Sequence, residues 1–210
     1  MDFLETAEVL LKKTIFILEQ YNILTITIVI MIKVRFVLGT WIVMLLFRII
    51  DSFFLKNYLC FRYGLYSYKS KRPNFLITWL IYPLLHANWK HFSSNSIPFL
   101  IFASMIQLFG TVEFLKCTVI ILLISSTCIY LFEKRNGPSI GISGLITGYF
   151  GYIVLHGYIN NNFWSICLSI IVLAFYQKII YLSLIKQDNN ASNIGHFSGF
   201  ISGFLAAFIL

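Results

Sequence analysis

The chain has 210 residues, of which 59% are hydrophobic, 18% aromatic and only 11% charged, with a net charge of +8. That composition excludes an ordinary soluble domain and points to a membrane protein. The basic residues cluster at the ends of apolar runs, where Lys and Arg meet lipid headgroups, which argues against a nucleic-acid partner.

The N-terminal stretch "MDFLETAEVLLKK" carries Asp2, Glu5 and Glu8 where a signal peptide would carry positive charge, so no removable targeting segment is expected. Leu4, Leu10, Leu11, Ile15 and Leu18 recur at helical spacing among Lys12, Lys13 and Glu19. Residues 1–32 therefore read as an amphipathic, interfacial segment, and residues 33–210 as the main domain.

Six apolar runs of the ~17–25 residues needed to cross a bilayer follow. They extend from about Phe36 to Phe54, Trp89 to Phe109, Phe114 to Phe132, Ser143 to Ile159, Phe163 to Ile185 and Gly195 to Leu210. The expected fold is an all-α membrane protein with six transmembrane helices. Between the first two runs, Leu55 to Leu85 mixes Lys56, Arg62, Lys69, Lys71 and Arg72 with Tyr58, Phe61, Tyr63, Tyr66 and Trp79. Such a mixture belongs at headgroup level and is too long for a bare loop. Cys60, Cys117, Cys128 and Cys167 form no C-x-x-C pair and read as free thiols.

The fourth and sixth runs are the shortest, covering only ~25 Å, so one end of each is expected below the membrane surface. The fourth is preceded by "EKRNGPSIGI", in which Gly137, Pro138 and Gly141 resist helix. Irregular backbone at depth is tolerated only where it is buried or lines a watery cavity, which places Ser143 facing water beneath the surface.

Gly195, Gly199 and Gly203 make a bare stripe on the sixth helix, and Gly144, Gly148 and Gly151 offer matching spacing on the fourth. Close approach of the two stripes would bring Ser143 and His196, each at a helix start, within hydrogen-bond reach as a nucleophile and its general base. For the glycines alone, helix packing is the simpler reading. An ionisable residue at depth such as His196 points instead to function.

A third element is "HANWKHFSSN" at the entrance to the second run. His91 and Asn95 stand four apart on one helix face, where both side chains can donate to an oxyanion beside the backbone N–H of Ser143. A metal site is the rival use of these histidines, but His86 and His91 are five apart and no H-E-x-x-H occurs, so no metal or other cofactor is expected. His156 lies ~20 Å along its helix from Ser143 and reads as interfacial. The acids are Asp2, Glu5, Glu8, Glu19, Asp51, Glu113, Glu133 and Asp188, none within the second, fourth, fifth or sixth run. The reading is therefore a Ser-His dyad without an orienting acid. An α/β-hydrolase elbow needs glycine where Leu145 stands, and an aspartyl intramembrane protease needs two aspartates inside helices.

Taken together, G-x-S-G at Gly141 to Gly144, the H-x4-H-x3-N run of His86, His91 and Asn95, G-H-x-x-G-x-x-x-G at Gly195 to Gly203, and "LFGTVE" ending at Glu113 resemble the rhomboid intramembrane serine proteases over roughly residues 60 to 210. The resemblance implies a six-helix bundle with Ser143 as nucleophile, His196 as base, His91 and Asn95 as oxyanion donors and His86 in support. It implies substrates that are transmembrane helices, cut at small residues near one membrane face, and residence in a cell membrane. Two departures stand out: Thr147 where many members carry an aromatic that stacks on the catalytic histidine, and Ile77 and Thr78 where a Trp-Arg pair is common. Family topology also puts Lys56, Arg62, Lys69, Lys71, Arg72, Lys134 and Arg135 outside, against the usual inward bias of positive charge. The rival readings are an inactive rhomboid-like protein that binds or escorts membrane helices and, more weakly, a small transporter or channel. The sequence names neither the substrate nor the oligomeric state.

Overall fold

A computed structural model describes residues 12–13, 23–70, 76–160, 162–185 and 192–210. Among these the chain is helical: α1 (Ile23–Lys33), α2 (Arg35–Phe53), α3 (Tyr58–Tyr63), α4 (Leu76–Ile81), α5 (Trp89–Phe109), α6 (Thr111–Phe132), α7 (Ser143–Asn160), α8 (Phe163–Ile185) and α9 (Asn193–Ile209). Single 3₁₀ turns occupy Tyr68–Ser70 and Tyr82–Leu84. The proposed interfacial segment falls largely outside the described residues, as do Asp188, Lys71 and Arg72.

Among the described residues three helices, α2, α5 and α6, are long and apolar enough to cross a membrane, and α9 and residues Phe163–Lys178 of α8 form shorter apolar helices. With the side chains of Ile28 to Ile32 also exposed, the molecule presents a broadly apolar exterior. Such an exterior is unstable in water and natural in lipid, and the chain is an integral membrane protein.

The core gathers around α7. Every residue from Leu145 to Ile153 is buried, because α5, α6, α8 and α9 pack on α7 from all sides. Phe99, Phe102, Ile106, Ile121, Tyr149 and Tyr152 fill the space between them. Only small side chains allow neighbours on every face at once, and α7 supplies Gly144, Gly148, Gly151 and Gly157.

The helix α6 begins at Thr111, three residues before the expected start, and so carries Glu113 in its first turn. A carboxylate there meets the partial positive charge of the helix N-terminus. It also finds partners on α7: the Tyr152 hydroxyl donates to Glu113 Oε1, and His156 Nε2 lies 3.2 Å from the same oxygen. His156 is buried, stacked on Phe109 at 4.8 Å between ring centroids, and bonded to Asn160. Its expected interfacial position is thus an internal polar cluster at the α7 end remote from Ser143.

The described part of the connecting segment, residues 55–70 and 76–88, includes α3, α4 and the two 3₁₀ turns. It is tied to the irregular strap 133–142 at two points. Leu65 and Ser139 exchange backbone bonds of 3.0 and 2.8 Å, and Gly141 N donates to Tyr82 O at 2.9 Å. This pairing satisfies backbone groups that would otherwise be buried without partners.

Candidate active site

The two glycine-bearing helices meet face to face. A β-carbon at Gly199 would strike the Gly144 carbonyl, and one at Gly203 the Gly148 carbonyl. From the other side, a β-carbon at Gly148 would come within 2.9 Å of Gly199 O, and one at Gly151 within 2.6 Å of Phe200 O. Backbone therefore packs directly on backbone along the whole contact, which only hydrogen in place of a side chain permits.

This contact brings the helix starts level, with Ser143 as the first residue of α7 and His196 in the first turn of α9. Ser143 Oγ lies 2.8 Å from His196 Nε2. His196 is 6% exposed and Ser143 is half-buried. A hydroxyl at that distance can pass its proton to an unprotonated Nε2, which requires the ring proton to sit on Nδ1.

The start of α9 is fixed by a cap and a carboxylate. Ser192 Oγ accepts from Gly195 N at 3.0 Å and donates to Glu133 Oε2 at 2.5 Å. Glu133, at the end of α6, also accepts from the backbone N–H groups of Lys134 and Arg135 and pairs with the Arg135 guanidinium at 3.3 Å. Burial by itself would raise the Glu133 pKa, but the bonds from Ser192 and Arg135 outweigh it and hold the carboxyl below its ordinary range.

Opposite the Ser-His pair stands the N-terminal turn of α5. Asn88 caps it, its side chain accepting from His91 N at 2.8 Å, and this sets His91 and Asn95 on the face toward the strap. Gly141, two residues before Ser143, has φ +101, a conformation that L side chains rarely adopt. A β-carbon there would lie 2.8 Å from His91 Cε1, 2.9 Å from His91 Nε2 and 3.4 Å from Asn95 Nδ2. The imidazole and the amide thus rest directly over the turn that delivers Ser143. Asn95 Nδ2 is buried and has no hydrogen-bond partner among the described residues. A buried donor without an acceptor costs stability, so its natural complement is an acceptor that arrives from outside.

His86 is not on α5 but in the extended segment before its cap, which lets its ring turn back toward the helix. It meets the rings of His91 at 5.0 Å and Phe92 at 5.5 Å, both edge-on. Burial, aided by the charges of His91 and Arg48, depresses its pKa to about 3, so it is neutral at physiological pH. Among the described residues no group of three His, Cys, Asp or Glu gathers as a metal site.

Sequence reasoning missed the polar anchors. Arg48 and Asp51, one turn apart on α2, are 4% and 1% exposed. Glu133 and Ser192 brace the start of α9. Two charges inside an apolar run were the available signal for the first pair, since an ionisable group at depth is costly unless it has work to do.

The Rhomboid domain matches residues 73–210 of the chain. Uncharacterized proteins of Mycobacterium bovis and Mycobacterium tuberculosis are 33% identical over 135 residues, 61% of this chain and 56% of theirs. One from Mycobacterium leprae is 30% identical over 134 residues, 61% of this chain and 53% of its own. A protein of Acanthamoeba polyphaga mimivirus, named as a rhomboid protein, is 27% identical over 134 residues, 62% of this chain and 72% of its own. The shared region thus spans little more than half the length of the mycobacterial relatives. The Rhomboid domain covers well over half of this chain, and the chain belongs to the rhomboid family.

Proposed function

We propose that this protein is an intramembrane serine endopeptidase whose domain, residues 33–210, crosses a cell membrane six times and cleaves transmembrane helices of other proteins. The observation that carries this reading is the 2.8 Å contact between Ser143 Oγ and His196 Nε2, with the partnerless Asn95 amide donor across the same turn.

In the reaction, a substrate helix enters from the bilayer and unwinds locally, because a helical amide is shielded and already hydrogen-bonded. His196 Nε2 takes the Ser143 proton as Oγ adds to the scissile carbonyl carbon. The oxyanion is held by Asn95 Nδ2, His91 and the N–H of Ser143, which lies in the first helical turn where N–H groups have no intrahelical partner. The tetrahedral species collapses to an ester on Oγ as His196 gives its proton to the leaving amine. Water then enters, loses a proton to the same nitrogen as it adds to the ester carbonyl, and the acid leaves as that proton returns to Ser143 Oγ. His86 supports His91 by ring contact and takes no proton. Glycines 141 and 144 shape the turn, and glycines 148, 151, 195, 199 and 203 let the helices close.

The test is cleavage of a transmembrane reporter by purified wild type, Ser143→Ala and His196→Ala in proteoliposomes, with sequencing of the cut site. Wild type should cleave within or at the edge of the reporter helix and both variants should not. Equal cleavage by all three would sink the assignment of Ser143 and His196, and no cleavage by any of them would favour the inactive, helix-binding homologue.

A further inference from the structure

The carbonyl of His86 receives more attention than a connecting residue needs. Arg48 Nη1 donates to it at 2.6 Å, and Cys60 Sγ lies 3.5 Å from it. The same Arg48 nitrogen reaches Asn57 Oδ1 at 3.0 Å, and the guanidinium carbon sits 5.7 Å from the Trp89 ring centroid. Arg48 therefore grips both sides of the short segment from His86 to Trp89 that enters α5. One turn further along α2, Asp51 accepts from Leu59 N at 2.8 Å and Cys60 N at 3.4 Å, which anchors α3 beside it.

We propose that Arg48 is a positioning residue for the hydrolytic site: from α2 it fixes the His86 carbonyl and the start of α5, and so sets where His91 and Asn95 stand over Gly141. This inference rests on the protease reading above. A guanidinium suits the task because its planar donors serve a carbonyl and an amide oxygen at once in a fixed geometry. The link to the donors is short. The His86 ring braces His91 edge-on, and the Trp89 and Phe92 rings also meet edge-on, at 5.9 Å, in the first turn of α5. A shift of the entry segment would carry the amide of Asn95 with it, and donor placement to within a fraction of an ångström governs oxyanion stabilisation.

The experiment is a double-mutant cycle in proteoliposomes with Arg48→Met, Arg48→Lys, Asn95→Ala and the two Arg48/Asn95 pairs, reading kcat and KM separately on protein shown folded by thermal unfolding. If Arg48 acts through the donors, Arg48→Met lowers kcat ~10- to 100-fold with KM within about twofold. Arg48→Lys recovers part of the loss. Each pair is no slower than about the slower of its two single variants. Should Arg48→Met fail to fold, the Lys variant completes the cycle alone. Losses that multiply, or Arg48 variants with wild-type kcat beside an active wild type, overturn this inference and leave the protease reading standing. A wild type that does not cleave overturns both.

Discussion

Thr147 Oγ1 stands 2.9 Å from the carbonyl oxygen of His196 and 2.9 Å from that of Gly144, joining the backbone of α9 to that of α7 one turn below the Ser-His contact. Many rhomboid proteases resemble one another in carrying an aromatic at this position. Here a hydroxyl holds the histidine's own backbone instead of a ring stacking on its side chain.

Thr147→Val keeps the shape and removes the interhelical bond. The expected cost is ~1 kcal/mol of stability, together with a fall in kcat as His196 gains freedom. Unfolding in detergent micelles beside reporter kinetics checks both. Unchanged values for both would mean that glycine packing alone sets the helix spacing.

Gly199→Ala places a methyl group against the Gly144 carbonyl and Thr147 Oγ1, atoms that cannot retreat without parting the two helices. Overpacking of this kind costs ~1–3 kcal/mol, and cleavage should fall to near background. Gly39→Ala on α2 meets nothing within 4 Å and should leave both stability and rate intact. The pair of variants separates a general intolerance of alanine from a specific collision.

Asn95→Ala should lower kcat by ~10² to 10³ while leaving the unfolding temperature unchanged or higher, because the lost donor is buried without a partner among the described residues. A drop in stability without a drop in rate would assign Asn95 to the scaffold.

His86 makes the stability of the fold depend on pH. Its folded pKa, about 3, lies below the ordinary histidine value of ~6.5, so the unfolded chain binds a proton that the folded chain refuses. Stability from this group is present in full above about pH 6.5 and declines as pH falls toward 3, by at most ~1.4 kcal/mol per pH unit. His86→Phe should flatten the unfolding-temperature profile between those values; a profile identical to wild type would contradict a buried neutral ring.

Much of this architecture is legible in the sequence because the bilayer imposes a simple length rule, and the glycine spacing of 195, 199 and 203 survives as a contact surface. The positions of Ser143, His91 and Asn95 near helix starts follow from the same segmentation. Arg48 and Asp51 are not legible in this way. Their partners, His86, Asn57, Leu59 and Cys60, come from a separate segment whose path depends on the strap at Ser139 and Gly141, and no periodicity encodes that path. His156 misleads for a related reason: position along the helix places it near an end, but Glu113 enters the bundle only because α6 starts three residues early and turns its carboxylate toward Tyr152.

The central claim is that His196 activates Ser143 inside the membrane. Native membranes treated with a fluorophosphonate, digested and mapped by mass spectrometry, test it most directly. The adduct should sit on Ser143 in wild type and disappear with His196→Ala although Ser143 is still present. An adduct on another serine, or labelling of Ser143 that persists without His196, would contradict the account.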